Sequence, residues 1–300
     1  MKLTGLHFLL TYQCTFECDH CFVWGSPWQN GTLTIKSITE VLRQARNTDT
    51  IKWIYFEGGE PFLYYATLVN GVQMASEMGF QVGIVTNSYW ATTIEDAVQY
   101  LKPFVGLIQD ISISSDLYHY NEKLSQQAKN ACAAAEQLHI PVGVISIAEP
   151  EPCSVDRTSG QLPQGESAVM YRGRAAQMLA PKTNLLPWDQ FSICPEEDLR
   201  DPGRIHLDPF GNLHICQGIS LGNIFKKHLY DICQTYEPEK HPIIEPLLAG
   251  GPTELTRRYE LNHDDLYADA CHLCFESRIE LRHRFPETLL PDNMYAVPNN

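Results

Sequence analysis

Residues 6–21 read LHFLLTYQCTFECDHC, a short apolar run followed at once by three cysteines. The run Leu6–Thr11 predicts a β-strand. Cys14, Cys18 and Cys21 then share one loop at its carboxyl end, spaced Cys-x3-Cys-x2-Cys. Three thiolates on a short loop can each hold one iron of a [4Fe–4S] cube and leave the fourth iron open to nitrogen and oxygen ligands. The same cysteines also admit a zinc knuckle, with Asp19 and His20 completing a closed cage.

Outward from this loop the chain alternates strand and helix. Ile35, Ile38, Val41, Leu42 and Ala45 recur at helical spacing, with Thr34 placed to cap them. Strands are expected at Trp53–Glu57, Gln81–Thr86, Leu107–Ser114 and Pro141–Ile147. Helices fall between them: one through Leu68 and Met78, one at Thr93–Leu101, one from Leu124 to Leu138. Single helices between strands imply right-handed crossovers and a parallel sheet, with function at the carboxyl ends of the strands. Residues 149–167 read as a loop and Ala168–Tyr171 as a sixth strand, with a weak helix from Gly173. Arg204–Leu207 and Leu213–Cys216, joined by a turn at 208–212, predict a β-hairpin. Asn223 is placed to cap a helix through Cys233, and a last helix follows Cys274. The texture changes between 180 and 190, which divides the chain into residues 1–186 and 187–300.

The 300 residues are 44% apolar and 19% charged, a composition that excludes general disorder, collagen and coiled coil. Twenty-two basic and 36 acidic residues leave a net charge of −14. That charge argues against DNA or tRNA as a substrate. No run reaches the ~18 apolar residues that span a bilayer, and Leu6–Leu10 lacks the cleavage site of a signal peptide. A cytoplasmic protein is expected. Its ten cysteines are then metal ligands or core residues rather than disulfides.

The triad Cys14, Cys18 and Cys21, together with Glu57-Gly58-Gly59-Glu60-Pro61 after the second strand, resembles the radical S-adenosylmethionine (SAM) superfamily. The resemblance implies an α/β fold: a partial (β/α)6 barrel of parallel strands. It implies a [4Fe–4S] cluster on the three cysteines, with SAM chelating the open iron. It implies SAM contacts from Gly58, Gly59, Glu60 and Pro61, the glycines letting the backbone approach the methionyl group. Phe22 resembles the family's aromatic near the adenine. Ser114 and Asp116, closing the fourth strand, resemble its ribose-contacting stretch, and Asn87 matches a pattern at the end of strand three. Turn and cap roles are the ordinary alternatives for Ser114 and Asn87. The implied reaction is reductive cleavage of SAM to a 5′-deoxyadenosyl radical, which abstracts hydrogen from a substrate. A flavodoxin- or ferredoxin-like protein would supply the electron.

Cys194, Gly211-x4-Cys216 and Cys271-x2-Cys274 resemble the shortened SPASM module called Twitch, which carries an auxiliary [4Fe–4S] cluster in a small domain of β-hairpin and helices. Tyr171-Arg172-Gly173-Arg174-Ala175 resembles the stretch that precedes such modules. Zinc on the same four cysteines is the competing reading. Cys233 could replace one ligand, though packing suits it better. Cys132 fits the apolar stripe of its helix, and Cys153 falls in a polar loop. His119 is a candidate proton donor or substrate-orienting group, with a structural role as its alternative. Arg172 and Arg174 could bind a carboxylate or pair at a helix start. Trp24 and Trp28 could shield the cluster loop or pack in the core.

These readings point to a radical SAM enzyme that modifies a peptide or protein side chain. The start at strand one, with no added leader-binding domain, counts against the peptide reading, though a separate partner could supply that recognition. A small-molecule oxidoreductase or carbon–carbon bond former is the rival within enzymes. An iron–sulfur electron carrier without SAM chemistry is the non-enzymatic one.

Overall fold

A computed structural model describes residues 1–150 and 165–296. Cys153 lies outside the described residues. The sheet is built from β1 (Gly5–Thr11), β2 (Trp53–Gly58), β3 (Gln81–Thr86), β4 (Asp110–Ser114) and β5 (Val142–Ile145). Neighbours among these five are all parallel. Four helices form the intervening crossovers: α1 (Ile35–Arg46), α2 (Tyr65–Glu77), α3 (Ile94–Leu101) and α4 (Gln126–Gln137). Thr34, Thr93 and Ser125 cap α1, α3 and α4, each accepting from a backbone N–H in the first turn.

The sixth parallel strand is not where the sequence placed it. Residues 168–171 form no strand; Ser167 makes only an isolated bridge to Ile147. The chain turns instead at Gly173, whose φ is +61°. A Cβ there would sit 2.7 Å from the backbone of Cys21 and Phe22, so only glycine lets this segment lie against the cysteine loop. The short helix α5 (Arg174–Met178) follows. A two-residue strand, β6 (Leu186–Pro187), comes next.

The sixth parallel partner is β7 (Arg204–Leu207), which pairs with β1. It forms the expected hairpin with β8 (Asn212–Cys216), and β9 (Ile219–Asn223) extends it. The full order is β5-β4-β3-β2-β1-β7-β8-β9. The sheet therefore runs on past residue 187, and the hairpin is part of the barrel sheet rather than a separate layer. Buried Asp208 fastens its turn, accepting from Phe210 N, Asn212 N and Asn212 Nδ2 at 2.9 Å.

Asn223 ends β9; helix α6 (Leu229–Gln234) is capped by His228 instead. Helix α7 (Ile244–Arg258) is kinked at Gly250 and Gly251. After β10 (Leu266–Tyr267), helix α8 (Ala270–Leu281) begins before both late cysteines rather than after them. Asp269 caps it, accepting from His272 N at 2.7 Å.

Period-two alternation divides the parallel strands into two faces. Leu6, Phe8, Ile54, Phe56, Ile84, Ile111, Ile113 and Ile205 join the core under the helices. The opposite face, with His7, Tyr55, Glu57, Asp110, Ser112 and Arg204, lines a cavity of about 460 Å³ in the barrel lumen. A second core joins Leu9 and Tyr12 to Ile215, Phe275, Leu281 and Tyr295. Among the described residues no helix is long and apolar enough to cross a membrane.

Candidate active site and cysteine centres

Cys14 and Cys18 are buried and Cys21 half-buried, on the loop that leaves the carboxyl end of β1. Backbone donors aim at the sulfurs: Phe16 N lies 3.5 Å from Cys14 Sγ and Gly25 N 3.2 Å from Cys21 Sγ. Asn87 Nδ2 is 3.6 Å from Cys14 Sγ and 3.1 Å from Thr15 Oγ1. Burial pushes the Cys14 thiol up to about 12, partly offset by Phe16 N–H and reinforced by Glu60 and Cys21. Burial raises Cys18 further, with Cys21 and Cys14 adding to it. Thiols that oppose one another's ionisation need a bound cation to become thiolates. A donor set of three sulfurs, with N–H groups turned toward them, fits an iron–sulfur cluster.

The glycine turn serves this loop directly. Gly58 has φ +141°, and a Cβ on it would lie 2.4 Å from Thr11 O; one on Gly59 would lie 2.1 Å from Gln13 O. The glycines thus permit close approach to the chain's own residues 11–13. Gly59 N donates to Thr11 O at 2.7 Å and Glu60 N to Gln13 O at 2.8 Å. Glu60 is fully buried. It accepts from Phe62 N at 3.0 Å, Thr86 Oγ1 at 2.8 Å and Asn87 N at 2.8 Å. Burial pushes it up to about 7 against those three donors. Pro61 opens the short turn that Glu60 caps. Glu60 is a positioning residue: it ties the end of β2 to the end of β3, and through Asn87 to Cys14.

That chain of contacts yields a prediction. Glu60→Ala leaves three buried donors unpaired, at about 1–3 kcal/mol each. Both the denaturation midpoint and iron retention after reconstitution are expected to fall. Unchanged iron with only weaker SAM binding would mean that Glu60 acts on SAM alone.

The remaining expected contacts divide. Ser114 ends β4 half-buried, on the same strand face as Asp110 and Ser112. Asp116 accepts from Tyr118 N, His119 N and His119 Nδ1 through one oxygen, and from Ile147 N through the other. Burial would raise its carboxyl, but His119 at 2.8 Å outweighs that and holds it low. His119 also meets Phe16 and His20 edge-on, with ring centroids 6.0 and 5.2 Å apart. It therefore borders the cysteine loop. Phe22 lies between Arg172, 5.5 Å above its ring, and His206 at 5.7 Å. Trp28 is 82% exposed and shields nothing, whereas Trp24 lies under Arg174 at 5.4 Å.

Cys194, Cys216, Cys271 and Cys274 line one pocket, together with Arg172 and Arg278. Cys233 packs in the other core, and Cys132 lies against it. The two cysteine groups are joined by residues 171–174. Arg174 donates to Cys18 O and Gly25 O at 2.8 Å, and its N–H to Cys21 O at 3.0 Å. Arg172 donates to Cys216 Sγ at 3.1 Å and pairs with Glu197 at 3.2 Å. Tyr171 N donates to Asp269, the cap of α8, at 3.2 Å. Neither arginine is a mere helix-start ion pair.

Arg278, one turn after Cys274, is 1% exposed. Its partners are Cys274 O, Gln217 and Tyr295, with no carboxylate among the described residues. A buried guanidinium without an anion is costly. Four metal-bound thiolates would supply the negative charge. Burial pushes Cys274 up to about 12, and Arg278 opposes the rise.

Residues 8–146 match the Radical SAM superfamily. The matched segment holds the cysteine loop and the 58–60 turn. A "S-adenosylmethionine-dependent nucleotide dehydratase" of Fibrobacter sp. (strain UWH6) is 28% identical over 147 residues, 46% of this chain and 42% of that protein. The "Putative peptide biosynthesis protein YydG" of Bacillus subtilis (strain 168) is 28% identical over 122 residues, 40% of this chain and 38% of that protein. The chain spans about two fifths of the length of these curated relatives. The crystal structure of BtrN with AdoMet and 2-DOIA superimposes over 91% of this chain and 92% of its own, at TM-score 0.50 and 15% identity. That likeness concerns the fold. In this chain the largely parallel sheet of an α/β fold carries the cysteine loop.

Sequence reasoning passed over three polar residues in and around these centres. His7 and His206 face the lumen from neighbouring strands; period-two alternation could have flagged His7, but His206 needed the β1–β7 pairing. Arg278 gave only the signal of an arginine four residues after a cysteine.

Proposed function

We propose that the chain binds a [4Fe–4S] cluster on Cys14, Cys18 and Cys21 with SAM at its open iron, and removes hydrogen from a peptide side chain entering the lumen. The observation that carries this reading is the gathering of three thiols on one loop at the carboxyl end of β1, with N–H groups turned toward Cys14 and Cys21. The bound cluster and SAM supply the hydrogen-abstracting radical. The protein's own groups do the rest. The 58–60 turn and Asn87 hold the loop, Ser114 and Phe22 border the SAM site, and the lumen groups orient the substrate. Relatives named for peptide biosynthesis and for nucleotide dehydration support the two substrate classes. The cavity's volume, enough for one side chain or a small polar molecule, keeps the small-molecule reading as the second.

The four later cysteines hold an auxiliary [4Fe–4S] cluster in this reading, within a Twitch-like region spanning 187–300. With four protein ligands it exchanges electrons rather than chelating substrate. A flavodoxin- or ferredoxin-like donor reduces the first cluster, and a separate protein presents the peptide. All nine described cysteines are unpaired, which suits a reducing cytoplasm.

The test is reductive SAM cleavage by anaerobically reconstituted protein. 5′-Deoxyadenosine is expected slowly without substrate and faster with a cognate peptide, whose mass changes. No cleavage with several low-potential reductants would favour the electron-carrier reading. Stimulation by nucleotides or other small metabolites, but not peptides, would select the second substrate class.

A further inference from the structure

His7 on β1, Glu57 on β2 and His206 on β7 meet deep in the lumen. The β1–β7 register sets His7 directly beside His206, and Glu57 stands on the strand on the other side of β1. His7 Nδ1 is 3.3 Å from Glu57 Oε2, and His206 Nε2 is 3.0 Å from Glu57 Oε1. One ligand atom from each residue can be chosen so that all three lie within 4.8 Å of one another.

Hydrogen bonding does not account for this group. His7 Nδ1 and Glu57 Oε1 are buried and have no hydrogen-bond partner. Two buried polar atoms are therefore left unsatisfied. Tyr55 stacks on His7 at 4.8 Å, and the two imidazoles meet edge-on at 5.3 Å. These contacts fix the ring planes, as a ligand site requires.

We propose that His7, Glu57 and His206 form a binding site for one divalent cation of the zinc class, distinct from both cysteine centres. Two imidazoles and a carboxylate suit such a borderline ion and leave a coordination position open. That position faces the cavity lined by Tyr55, Asp110 and Ser112. An oxygen of a molecule in the lumen could complete the coordination. Binding of the ion itself does not depend on what the substrate is.

The test uses holoprotein with its cysteines already loaded with iron and sulfide. Zn2+ is added, excess is removed, and metal content and zinc X-ray absorption are measured. About one zinc per chain with nitrogen and oxygen neighbours is expected. His7→Ala with His206→Ala should lose it while iron and sulfide stay unchanged. Should that double variant misfold, Glu57→Gln preserves shape. It is expected to weaken zinc retention more than about tenfold, a loss that even outer-shell partners can cause. No zinc above the level of the double variant, zinc ringed by sulfur, or wild-type retention in Glu57→Gln would each overturn the site.

Discussion

Replacing Cys14, Cys18 and Cys21 with alanine is expected to abolish 5′-deoxyadenosine formation and to remove about four of roughly eight irons per reconstituted chain. Phe16 N and Asn87 Nδ2 face the Cys14 sulfur and Gly25 N faces that of Cys21. Without the sulfurs, the donors at this loop have no metal-binding partner, and SAM loses its chelating iron. The fold should survive, because the loop is held by contacts that do not involve sulfur. Arg174 grips Cys18 O and Gly25 O through the backbone, and the 59–60 turn grips Thr11 O and Gln13 O. Far-UV circular dichroism should therefore match wild type. Iron and labile sulfide report the cluster, and chromatography of the SAM products reports the reaction. Retained iron, or stoichiometric zinc without labile sulfide in the wild type, would defeat the assignment.

Cys271→Ala with Cys274→Ala carries the second large effect. This change removes two of four thiols, among them Cys274, which lies one turn before buried Arg278 and interacts with its charge. Breaking a buried charge partnership in this way costs about 3–5 kcal/mol. Residues beyond about 187 should become sensitive to proteolysis, since α8 packs Phe275 and Leu281 into the second core. About four irons should be lost. Some SAM cleavage should persist at the first centre, while turnover of substrate stops. The first centre is not fully insulated: Arg172 touches both Cys216 and the Phe22 ring, so cleavage should slow. Full iron content with an unchanged denaturation midpoint would reduce these cysteines to packing residues.

Part of this was legible in residue order alone. Cys14-x3-Cys18-x2-Cys21 is local: eight positions of one loop hold every ligand. The strand–helix alternation over 6–147 is local too, because periodicity and caps such as Thr34 act within one element. Both survive in the structure with small shifts of boundary. Late cysteines were also readable as a set, since their number and spacing resemble a ligand pattern.

Other features depend on which distant segments meet. Ala168–Tyr171 has strand-like composition, yet Arg172–Arg174 bind the cysteine loop and divert it. Arg204–Leu207 then takes the open edge of β1, a pairing between positions about 200 residues apart that no local signal encodes. That same pairing carries His206 into the lumen beside His7 and Glu57. Glu60 and the glycines before it look in sequence like contacts for SAM. In the fold they also hold the end of β2 against residues 11–13, and the Glu60 carboxylate ties β2 to β3. Sequence by itself determined the chemistry-bearing loop and the parallel α/β class, because short-range spacing and periodicity suffice for both. Tertiary structure alone decided what surrounds that chemistry: the bridge of Arg172 and Arg174, the buried Arg278 and the imidazoles in the barrel. Those depend on register and burial, which are properties of the packed chain.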